Sequence, residues 1–244
     1  MPICKSLALS LALFGAAVAF AQQGAEPQTF NVGDYSLHLM PDGSFSVDYR
    51  KYCVVKAGPF SLNAKDWQVL YGGRASSSLD MGVEQEKGEV VIALTEDESG
   101  ASKFFKETLR LSADMVAVDV TYEPGIEIPI VAFGVDLPEN VYAGGQYQAC
   151  LSNGGAKSGV LPTARQPNKA LAFRLDGLSC LTKLLVKTKV GWIDFSLAGA
   201  KWSLGDSRNA SWNPQAFGLW IQESGKAGER RTLSFTIRLA GQTP

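Results

Sequence analysis

Trp192, Asp194, Trp220, Gln222 and Arg174 are the residues whose types and spacing fit ligand chemistry. Each stands out of step with an apolar row. Ile193, Phe195 and Leu197 form one such row, so Trp192 and Asp194 are expected on the opposite face. Phe217, Leu219 and Ile221 form another, which turns Trp220 and Gln222 outward. The apolar row of 171–175 leaves Arg174 outward, with Asp176 just beyond. An indole flanked by planar hydrogen-bonding groups suits a sugar: the ring covers C–H faces and the polar groups take hydroxyls. Tyr147 joins this set as a ligand-binding candidate. The competing expectation is that the segment 138–168 folds over this face and buries both indoles in a second small core.

Catalytic constellations are sparse. His38 is the one histidine, and it alternates with Leu37 and Leu39, so it is expected to face away from the core. No GxSxG elbow supplies a nucleophile, and no GxGxxG or GxxxxGK[ST] loop supplies a phosphate cradle. A glycosidase would need two carboxylates across a cleft, and Asp176, Asp194, Asp206 and Glu223 are available without a spacing that pairs them. A lyase could draw on Tyr142, Tyr147, Arg165 and Arg174. Glu96-Asp97-Glu98 reads as a solvated hairpin tip rather than a calcium site. Trp202 and Trp212 flank the polar run Gly205–Asn209, either as one rim of a ligand site or as anchors of a loop. No metal site and no cofactor are expected. The favoured reading is a non-catalytic carbohydrate-binding or accessory protein. A polysaccharide lyase or glycosidase on the same scaffold, or a structural or interaction protein of the cell envelope, are the alternatives.

The elements that must position these groups are strands. Tyr35, Leu37 and Leu39 share a face, Pro41-Asp42-Gly43 turns the chain, and Phe45, Val47 and Tyr49 continue. Val90, Ile92 and Leu94 form another inward row, as do Val116, Val118, Val120 and Tyr122. Phe105, Leu109 and Leu111 line a further strand, and Leu233, Phe235, Ile237 and Leu239 close the series. Roughly fourteen such runs are separated by turn residues. Residues 61–70 could hold a helical turn. The pattern predicts an all-β protein, a large two-sheet antiparallel β-sandwich formed by residues 29–241. Residues 138–168, rich in Gly and Pro, are expected as a long loop.

Residues 1–21 read as a signal peptide: Lys5, an apolar run from Leu7 to Phe20, then the small-x-small triplet Ala19-Phe20-Ala21. The mature chain is then expected to begin at Gln22 with a mobile tail over 22–28, and to be secreted or periplasmic. No second apolar run could span a membrane, and Cys4 precedes the apolar run, where no lipid anchor forms. The net charge of −1 and the absence of a basic block exclude nucleic acid as a partner; a poly- or oligosaccharide remains. Cys53, Cys150 and Cys180 survive processing. Cys150 with Cys180 is the expected disulfide and Cys53 a buried thiol, against three free buried cysteines.

Three stretches carry a resemblance. They are KETLRLSADMVAVDVTY over Lys106–Tyr122, Val135–Pro138 ahead of a Gly/Tyr segment, and Gly205–Asn209 followed by FGLWIQESGKAGERRTLSFTIRL. Together they resemble the galactose-mutarotase-like supersandwich modules of secreted polysaccharide-processing proteins. The resemblance implies a large β-sandwich and, by analogy, carbohydrate contact. Mutarotases use a histidine and a carboxylate at the active site; this chain offers only His38, so no catalytic residue is carried over.

Overall fold

Side chains alternate across a strand, so a chain that alternates apolar and polar residues can bury one face of each strand and solvate the other. The computed structural model follows that rule in most of the twenty strands among its described residues. It describes residues 19–20, 27–72, 79–86, 88–96, 101–165, 174–175, 181–210 and 215–240. The first strands are β1 (Ala19–Phe20), β2 (Gln28–Val32), β3 (Tyr35–Leu39), β4 (Phe45–Tyr49), β5 (Tyr52–Ala57), β6 (Ser61–Asn63) and β7 (Val69–Gly72). Then come β8 (Asp80–Glu86), β9 (Glu89–Glu96), β10 (Ser102–Ser112), β11 (Met115–Pro124) and β12 (Ile128–Pro138). A short helix, α1 (Glu139–Tyr142), leads to β13 (Gln146–Leu151), β14 (Ala156–Val160) and β15 (Arg174–Leu175). The chain ends with β16 (Leu181–Thr188), β17 (Gly191–Ala198), β18 (Trp202–Asp206), β19 (Ala216–Gly225) and β20 (Arg231–Ala240).

Every pairing among the described residues is antiparallel. One sheet runs β8-β9-β10-β11-β20-β17-β16-β13-β14, with β1 on the free side of β8. The other runs β2-β3-β4-β5-β12-β19-β18-β15, and the β6–β7 hairpin shares the edge of β12 with β5. Among the described residues a single pairing, Leu181 with Trp202, joins the sheets at one corner. The predicted two-sheet all-β sandwich is therefore the observed architecture. Its core centres on Phe235, whose ring from one sheet meets Phe45, Phe133 and Trp202 from the other at centroid distances of 6.3, 5.9 and 6.0 Å. The Pro41-Asp42-Gly43 turn forms as its chemistry requires. Gly43 takes a φ of 80°, and Asp42 Oδ1 accepts from the Ser44 amide at 2.9 Å.

Two expectations change. Residues 138–168 are not a long loop over their described part: they hold α1 and the β13–β14 hairpin, which extends the first sheet beyond β16. Residues 61–70 hold no helical turn. They form β6, a turn and the start of β7, because β6 gains ladder bonds to β12 that a helical turn would forfeit.

Glu107 is a deviation that the alternation conceals. It occupies the inward row of β10 between Phe105 and Leu109, is 1% exposed, and its Oε1 has no hydrogen-bond partner among the described residues. Burial pushes its carboxyl up to about 8, so the group folds protonated at neutral pH. The adjoining cavity of about 10 Å³, bounded by Asp42, Gly43 and Tyr71, has room for roughly one water. The unfolded chain loses this proton near the ordinary glutamate value. The Glu107 contribution is thus full below that value, declines as pH rises to about 8, and is level above. The slope in that window approaches about 1.4 kcal/mol per pH unit. Glu107→Gln is expected to flatten this decline and to stabilise the protein at neutral pH. Urea titrations at successive pH values check it, and a variant that tracks the wild type throughout refutes it.

Candidate functional site

The outer face of β12 and β19 carries a groove of about 610 Å³ lined by Trp67, Gly134, Asp136, Gly218, Trp220 and Gln222, among others. Its size lies within the range of small-molecule sites. Register builds it. Phe133, Val135 and Leu137 point inward opposite Ile221, Leu219 and Phe217. The outward pairs are therefore Ala132 with Gln222, Gly134 with Trp220, and Asp136 with Gly218. Two of these positions are glycine and one is alanine, so bare backbone forms the floor.

The glycines act differently. A Cβ on Gly218 would lie 2.2 Å from atoms of the Trp220 ring, so the indole lies along its own strand directly on Gly218. A Cβ on Gly134 would meet nothing within 4 Å. The groove is thus open beside the Trp220 indole. Trp67 enters from the β6–β7 turn. It is 53% exposed and has a φ of 67°, the left-handed region that a tryptophan enters at a cost. The turn is held by the Trp67 amide donating to Ala64 O at 3.0 Å and the Ala64 amide donating to Gln68 O at 2.9 Å. The row through Asp136 and Gly218 continues to Lys56 on β5 on one side, and to Gly205 on β18 and Arg174 on β15 on the other.

The structure divides the residues singled out from the sequence. Trp220 and Gln222 line the groove. Trp192 and Asp194 face outward as expected, but on β17 of the other sheet, with Asp194 Oδ2 bonded to Lys183 Nζ at 2.9 Å. Outer faces of opposed sheets look away from each other, so the two indoles do not share one platform. Arg174 is in register with the groove's Asp136 row, while its side chain, like Asp176, Cys180 and Trp212, lies outside the described residues. So do Asp97 and Glu98 and most of 1–28. Tyr147 is a correction. It belongs to the inward row of β13, is 6% exposed and packs on Gly159, where a Cβ would fall 2.8 Å from its hydroxyl oxygen. Cys150 is an exposed free thiol in the structure. Cys53 is half-buried, its thiol pushed up to about 11 by burial, and is poorly nucleophilic.

Two further expectations resolve. His38 Nδ1 lies 2.9 Å from Thr29 Oγ1 and Nε2 lies 3.3 Å from Asp48 Oδ2, on the outer face of β2–β4. That hydroxyl–imidazole–carboxylate line contributes nothing to the groove lining. Gly205–Arg208 is not a polar rim: these residues are buried, and Arg208 forms an internal ion cluster with Asp206 and Glu139. Trp202 is likewise buried, its Nε1 donating to Ala198 O at 3.2 Å. The sequence reading missed Trp67, Gly134, Asp136 and Gly218. The available signal was glycine inside a strand, which marks close approach by something else.

No family model matches the sequence, and no curated protein is significantly similar to it. Solved structures are similar in fold. A protein of Escherichia coli K12 assigned as an aldose 1-epimerase superposes with a TM-score of 0.56 at 11% identity, over 88% of this chain and 99% of that one. A galactose mutarotase related enzyme of Lactobacillus acidophilus gives 0.50 at 11% identity, over 89% and 98%. The α-N-acetylgalactosaminidase NagBb of Bifidobacterium bifidum, solved with GalNAc, gives 0.59 at 11% identity, over 88% of this chain but 36% of that one. At such identities the likeness concerns the fold: the chain has a galactose-mutarotase-like β-sandwich.

Proposed function

We propose that this protein is an exported, non-catalytic carbohydrate-binding protein whose site is the groove on β12 and β19. The observation that carries the reading is the half-buried Trp220 indole abutting Gly218 beside the open backbone of Gly134. An indole beside bare backbone gives the C–H face of a pyranose ring an aromatic partner, while Asp136 and Gln222 stand within the lining to take hydroxyls. Among the described residues Asp136 is the one carboxylate of the lining, whereas glycoside hydrolysis by the usual route needs two. The fold neighbours include proteins named for aldose epimerisation, mutarotation and GalNAc, which favours a sugar as the ligand. Export rests on the tripartite pattern of residues 1–21.

Calorimetric titration against a glycan panel tests the site. Trp220→Ala is expected to weaken binding by roughly 1–3 kcal/mol, about one to two decades, with little change in melting temperature. Gly134→Val fills open space and is expected to block the groove while the protein melts as before. A wild type that binds no sugar overturns the reading. Mass spectrometry of the exported chain is expected to show Gln22 at its start; a mature protein that retains Met1 would refute export.

A further inference from the structure

We infer that the groove receives an oligosaccharide laid along β12 and β19, with Trp220 and Trp67 contacting different units, and not a free monosaccharide. The inference rests on the carbohydrate reading and adds the class of ligand. Length is the first argument. The outward pairs from Asp136–Gly218 to Ala132–Gln222 span four residues of strand, or roughly 13 Å at the usual rise. That exceeds a single pyranose ring, and a volume of about 610 Å³ exceeds what one ring fills.

Position is the second argument. The Trp220 ring lies over Gly218, towards the end of the groove that holds Asp136. Trp67 follows β6, whose pairs with β12 are Ser61 with Ala132, Leu62 with Val131 and Asn63 with Ile130. It therefore enters from the end that holds Ala132 and Gln222. Two indoles at opposite ends of one lane offer two consecutive platforms. Ladder register fixes the first, because Gly134 and Gly218 must both lie on β12–β19.

Strain is the third. Trp67 combines 53% exposure with a φ of 67°, so its ring contributes little burial while its backbone carries a cost. A turn residue chosen for folding alone would be glycine or asparagine at that φ.

Calorimetry with gluco-, manno-, galacto- and N-acetylhexosamine ladders, each extended from the monomer, tests this, with a galacturonate ladder alongside. At least one ladder is expected to gain about tenfold in affinity when a second and third unit are added. Trp67→Ala is expected to erase that gain and leave the monomer affinity in place; Trp220→Ala is expected to weaken every length. The exposed Trp67 should be replaceable without loss of melting temperature, and a thermal melt verifies it. Monomers that bind as tightly as longer chains overturn the inference and leave the sugar-binding reading standing. Ladders that all fail to bind overturn the sugar-binding reading itself.

Discussion

Phe235→Ala is expected to destabilise the protein by about 3–5 kcal/mol, whereas its neighbour Thr236→Ala should cost under about 1 kcal/mol. Phe235 is 1% exposed and lies on β20, in register with Val118 on one side and Leu197 on the other. Its ring is where the sheets interlock, against Phe45, Phe133 and Trp202. Truncation would remove these contacts and leave a cavity among aromatic rings that cannot collapse without moving strands of both sheets. Thr236 points outward, opposite Ala117 and Ser196. For a chain of this size the Phe235 variant should melt on the order of 10 °C lower. Equal melting shifts for the two variants would mean that β20 presents its other face to the core.

Arg208→Met is the second large effect, also about 3–5 kcal/mol, because it strips the counter-charge from a buried carboxylate. The Arg208 side chain has no exposed surface, and Asp206 is 2% exposed. Nε and Nη2 donate to the two Asp206 carboxylate oxygens at 2.8 and 2.7 Å. Nη1 donates to Glu139 Oε1 at 2.7 Å and to Thr163 O at 3.1 Å, and Nη2 also donates to Ala164 O at 3.1 Å. All five guanidinium N–H groups are thereby used, and the cation also lies 4.4 Å from the centre of the Phe217 ring. One side chain so ties α1, residues 163–164 and the β18–β19 connection together. Arg208→Lys should not rescue stability, since an ammonium cannot fill a planar five-donor site. Asp206→Asn added to Arg208→Met should recover part of the loss, because no buried charge then lacks a partner. A double variant as unstable as Arg208→Met alone would show that lost packing, not the stranded carboxylate, sets the cost.

The same cluster has an acid limb. Hydrogen bonds from Arg165 and Arg208 hold the Glu139 carboxyl below the usual glutamate range. Its contribution is present above the ordinary glutamate value and is lost as pH falls through the lowered one. It runs opposite to the Glu107 trend, whose contribution fades towards about pH 8. Removal of the exposed partner, by Arg165→Ala, should cost under about 1 kcal/mol, because its pair with Glu139 lies at the surface.

The alternation of residue types determined which way most side chains face. Tyr35, Leu37 and Leu39 are buried, His38 is outward, and Trp192, Trp220 and Gln222 face away from the core as their apolar neighbours require. Period two is a local property, so a single strand reveals it. Glu107 escaped because its neighbours Phe105 and Leu109 carry the row with or without it. Partnership between strands is not local. Nothing within β17 or β19 states that the first belongs to one sheet and the second to the other, and that assignment separates Trp192 from Trp220. Nothing in Ala64–Gln68 announces that its tryptophan will reach a groove on β12 and β19. The run Gly205–Asn209 reads as polar and solvated, yet Glu139 and the carbonyls of 163–164 arrive from distant sequence to bury Arg208. Faces follow from each strand's own sequence; the groove and the ion cluster exist only where strands remote in sequence come into register, and the packing of the whole sandwich decides that register.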